Sequence, residues 1–92
     1  MNISKIFQLT EEDKAKYKLL IDKIDLNDAS KIIDMLNSKL DTMATSKSLN
    51  SIETDLIKYV SVLLNIYQTY PDLTASIKRR ILFALSYFCD SN

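Results

Sequence analysis

The 92-residue chain contains no histidine, no glycine, a single proline and a single cysteine. Each scarcity removes a class of chemistry. Without histidine, the commonest general base and metal ligand is missing. One cysteine can neither close an internal disulfide nor build a multi-thiolate zinc site. Without glycine there is no phosphate-cradling loop, no dinucleotide-binding fingerprint and no turn that needs glycine at positive φ. Excess charge is missing too: 12 Lys and Arg balance 12 Asp and Glu, so nothing global steers the protein toward nucleic acid or anionic lipid. The longest dense apolar stretch, Ile81 to Phe88, is far below the ~18 residues of a membrane span. The opening Met1-Asn2-Ile3-Ser4-Lys5 has no signal-peptide core. Together with the lone Cys89 this predicts a soluble, cytoplasmic protein in a reducing compartment.

What is present points to helices. Hydrophobic residues make up 47% of the chain, and surface scaling for this size leaves roughly 5,500 Å² exposed out of roughly 15,000 Å² unfolded. That is enough for one core and one domain, 1–92. Thr10 before Glu11-Glu12-Asp13, then Tyr17, Leu20, Ile21 and Ile24, predict a first helix over about 11–24, with the acids at the positive end of its dipole. Asp25-Leu26-Asn27-Asp28 is a second capping cluster, and the stripe Ala29, Ile32, Ile33, Leu36, Leu40, Met43 predicts a second helix over about 27–43. The polar stretch 44–50 is the longest predicted loop. Asn50 and Glu53 have capping-box spacing, and Ile52, Leu56, Tyr59, Val60, Leu63, Leu64 and Tyr67 then form the cleanest stripe in the chain. This third helix, about 51–69, is expected to be the central packing element. Pro71 ends it, because the residue before a proline is pushed out of the helical region, and Asp72 or Thr74 starts a fourth helix over about 74–89.

The fourth helix is apolar or aromatic at seven of the eight positions from Ile81 to Phe88. A helix that is apolar all round must be covered all round. Three other short helices are expected to cover about half of it. The uncovered part, around Leu82, Phe83, Tyr87 and Phe88, is therefore the candidate interaction face.

Other constellations have ordinary explanations. Lys78-Arg79-Arg80 is the only basic run and could contact an anion near a helix start, but consecutive helical positions splay apart, so solvation of an exposed face is the better account. Tyr59, Tyr67, Tyr70, Phe83, Tyr87 and Phe88 could stack nucleobases, yet no basic groove accompanies them and core packing is the better account. Of the acid pairs Asp22/Asp25 and Asp25/Asp28, Asp25 and Asp28 fall at a helix start, where caps are expected. Cys89 has no histidine to activate it. No catalytic residue, metal site or cofactor is expected.

Tyr70-Pro71-Asp72-Leu73, then Ile77 through Phe88, then Cys89-Asp90-Ser91-Asn92 resembles the YkvA-like family of small bacterial helical proteins of unknown function. In that family a basic pair leads into an Ala-rich helix ending in Tyr and an apolar residue. A short turn then leads into an Asp-Leu-Ile-Pro-Asp motif and an acidic segment. Ala84, Leu85, Tyr87, Phe88 and Asp90 match the first part, over about a quarter of the chain. The Asp-Leu-Ile-Pro-Asp element would begin after Asn92 and is absent, so the resemblance implies a shortened C-terminal end. It implies no reaction and no site residue.

The sequence thus predicts an all-α bundle of about four helices joined by short polar loops. The expected function is non-catalytic protein–protein interaction or self-association through the last helix. Peripheral membrane association, with Lys78, Arg79 and Arg80 at headgroup level, is the alternative. Nucleic-acid binding ranks below both because the net charge is zero.

Overall fold

Local chemistry at the helix ends sets the element boundaries. A computed structural model describes residues 11–45 and 48–90, the side chain of Asp13 apart. These residues form α1 (Glu11–Asp22), a 3-10 turn (Leu26–Asp28), α2 (Ala29–Ala44), α3 (Ser51–Thr69) and α4 (Ala75–Asp90), with no strand among them. The fold class is all-α, as the residue pattern predicts. The expected Thr10 cap, Ser46 and Lys47 of the predicted loop, and Ser91-Asn92 lie outside the described residues.

Asn50 and Glu53 form the reciprocal capping box. The Asn50 side-chain oxygen accepts from the Glu53 amide at 2.8 Å, and the Glu53 carboxylate accepts from the Asn50 amide at 3.4 Å. At the other end of α3, Tyr70 is extended at φ −104°, ψ 103°, the conformation that the following Pro71 imposes. Thr74, not Asp72, then caps α4, its hydroxyl accepting from the Ile77 amide at 3.2 Å. Asp25 accepts from the Asn27 amide at 2.9 Å. That bond starts the 3-10 turn, so α2 begins with the first residue of its stripe, Ala29, two residues later than the predicted start.

The four helices are not arranged around α3. Helices α1, α2 and α3 each pack on α4, and the molecule is only 18 Å thick along its shortest axis, about two layers of helices. One core cluster joins Leu36 of α2 and Val60 of α3 to Ile81, Ala84, Leu85 and Phe88 of α4. Leu82 and Phe83 are buried outside that cluster, on the other side of the same helix. At about 100° per residue, the buried positions of α4 span about 260° of its circumference. The expectation of a central third helix is therefore corrected: the centre is α4. The cause lies in the sequence, because only α4 carries enough apolar surface to reward three neighbours.

Candidate interaction surface

The face expected to be exposed on α4 is inside the domain. Leu82 is 0%, Phe83 9% and Phe88 3% exposed, and Tyr87 is half-buried. The expectation that short helices would leave half of α4 bare is corrected, because α1 supplies the missing cover. Tyr17 of α1 sits edge-on to both Phe83 and Tyr87, with ring centroids 5.7 and 6.3 Å away, and Phe83 and Tyr87 are themselves 5.9 Å apart. Edge-to-face contacts of this kind contribute about 0.5–1.5 kcal/mol each beyond area burial. Burial, then hydrogen bonding to Tyr17, raises the pKa of the Tyr87 hydroxyl.

The basic run does not form one patch. Arg80 is exposed, whereas Lys78 and Arg79 are half-buried, and the Arg79 Nε donates to the Ile24 carbonyl at 3.2 Å. Lys39 does similar work elsewhere. Its ammonium donates to the Phe88 carbonyl and lies 4.5 Å from the centroid of the Phe88 ring. Among the described residues no helix carries a basic residue in its own last turn. The negative end of the α4 dipole is thus met by a cation from another helix, Lys39 of α2, while Arg79 of α4 binds the Ile24 carbonyl two residues past the end of α1. Lys39 also faces Cys89. Burial raises the thiol pKa and outweighs the lowering effect of Lys39, while Asp90 raises it further, so Cys89 is a poorly activated thiol.

Exposed apolar side chains occur on each helix, Leu19 (65%) and Leu20 of α1, Met35 of α2 and Ile77 of α4 among them, and α3 carries two. Ile52 is 59% and Val62 57% exposed, and Tyr59 and Ile66 are only partly buried against the core. Burial raises the Tyr59 pKa. From Val62 round to Ile57 the apolar residues of α3 span about 220° of the helix, yet among the described residues α3 packs chiefly on α4, and one helical neighbour needs a stripe of only about 100°. The surplus is a second apolar strip, with Ile52, Tyr59 and Ile66 seven residues apart and Val62 between them. Val62 and Ile66 fall outside the stripe read from the sequence. The width of the arc, counted over the whole helix, was the signal that could have found them.

Among the described residues no helix is long and apolar enough to cross a membrane, and no group of three or more His, Cys, Asp or Glu could hold a metal ion. Comparison with protein-family models, with curated proteins and with solved structures gives no match.

Proposed function

We propose that this chain is a non-catalytic helical domain that binds another protein chain through the outer strip of α3. One observation carries the proposal: Ile52, Tyr59, Val62 and Ile66 form a regularly spaced apolar strip, interrupted by Asp55, that is open to solvent at Ile52 and Val62. An ordered apolar strip on an otherwise finished helix fits a helix-in-groove or helix–helix contact. The non-catalytic character rests on the residue inventory, since no base, nucleophile and anion-stabilising group can be assembled from it. The YkvA-like resemblance brings no reaction to set against this. Membrane docking through α4, or anion binding through residues 78–80, draws on groups already committed: Phe83 and Tyr87 to Tyr17, Phe88 to Lys39, Arg79 to the Ile24 carbonyl. A reducing compartment such as the cytoplasm belongs to the same proposal, because the single Cys89 is without a disulfide partner in the chain.

The test is a photo-crosslinking residue placed at Val62 in cells that express the protein, with Ser61 on the polar side of α3 as control. Adducts at position 62 and not at 61 support the proposal. Equal labelling at both, or none at 62, refutes it.

A further inference from the structure

We infer that the chain seated on this strip is a second copy of the same protein, with the two α3 helices antiparallel across a twofold axis. This rests on the interaction proposed above and names its partner. Ile52, Tyr59 and Ile66 are seven residues apart, and Asp55 and Val62 repeat the spacing three residues on, which are the a and d positions of a helix–helix seam. The flaw in the seam is Asp55. It decides the orientation. In a parallel pair equivalent positions meet, so Asp55 would face Asp55 of the second copy in a desolvated seam. In the antiparallel register that sets Ile52 opposite Val62 of the second copy, Asp55 lies opposite Tyr59 and next to Lys58 of the second copy. The twofold repeats the pair at the other end. Asp55 and Lys58 are both exposed, and the ion pair formed among the described residues, Lys14 with Glu11, uses neither. The surface is therefore self-complementary in charge as well as in shape. Zero net charge also leaves no general repulsion between copies.

Size sets the strength. In this register residues 51–63 face each other, 13 of the 19 residues of α3, a strip ~20 Å long and one helix, ~10–12 Å, wide. Such a contact falls at the small end of specific interfaces, below the roughly 800 Å² per partner of a standard one. A contact of that size fits a reversible association and not an obligate dimer.

Sedimentation equilibrium of the full chain over about 1–500 µM tests this directly, a range that brackets micromolar affinity. A monomer–dimer equilibrium is expected. Val62→Glu should weaken it at least about tenfold, and Asp55→Lys and Lys58→Asp should each do the same, because each places like charges together in a homodimer. An equimolar mixture of those two variants should recover the dimer, since every pair across the axis is again opposite in sign. Circular dichroism of each variant should match the native chain. Three results would overturn the inference: a monomer at every concentration, an undiminished Val62→Glu dimer, or no recovery on mixing. A monomer in isolation that still crosslinks to a different protein at position 62 removes the second copy but keeps the interaction. Absence of any adduct at that position removes the interaction itself.

Discussion

Helices α3 and α4 each carry ten or more apolar side chains, counting Cys89, and they occupy opposite roles. In α3 the apolar residues follow a regular helical stripe, the pattern that sequence reading associates with a core element, yet this helix lies at the edge of the slab with a strip in solvent. In α4 the apolar residues crowd almost every position from Ile81 to Phe88, a pattern that looks unsatisfiable in a short chain, yet α1, α2 and α3 between them cover it. The difference teaches that periodicity reports the width of the face a helix must bury. It does not report which neighbour buries it. A stripe asks for one neighbour and an all-round helix for several, so the less tidy pattern marks the centre.

Five substitutions sharpen this contrast, all read from urea or thermal unfolding. Phe88→Ala, in the core of α4, should cost about 3–5 kcal/mol, because it opens a cavity and removes the ring beneath the Lys39 ammonium. Arg79→Met should cost about 1–2 kcal/mol by leaving the Ile24 carbonyl without its donor, with little change in helix content. Asn50→Ala should cost about 1 kcal/mol, the usual loss for an N-cap, and Glu53→Ala less, since its own bond to the Asn50 amide is long. Val62→Ala, at the open strip of α3, should shift stability by no more than about 0.5 kcal/mol under conditions where the chain is monomeric. If Val62→Ala cost as much as Phe88→Ala, the two helices would not differ as described.

The ends of α3 and the start of α4 were legible in the sequence because they depend on neighbours within four residues: Asn50 with Glu53, Tyr70 with Pro71, Thr74 with Ile77. The four-helix count and the hydrophobicity of α4 were legible for the same local reason. The centre of the fold was not. Covering α4 depends on Tyr17 reaching Phe83 and Tyr87, and on Lys39 reaching Phe88 across 49 positions. No local pattern encodes such separations. The interaction face was misplaced through that gap: Phe83 and Tyr87 look exposed only while α1 is imagined elsewhere, and Phe88 only while α2 and α3 are. The basic run shows the reverse case. Its splaying followed from helix geometry alone, whereas the carbonyl that Arg79 reaches, 55 residues earlier, could come only from the tertiary structure.

The assignment of α4 to the inside and the strip of α3 to the outside is tested most directly by one matched pair of charge insertions, Leu82→Asp and Val62→Asp, compared by urea unfolding at low protein concentration. An unpaired carboxylate at the fully buried Leu82 should consume most or all of a stability that for domains of this kind is about 5–15 kcal/mol. The same group at Val62 should leave the unfolding midpoint within about 0.5 kcal/mol of the native chain. A folded Leu82→Asp protein of native stability, or a Val62→Asp protein that unfolds, would contradict the account.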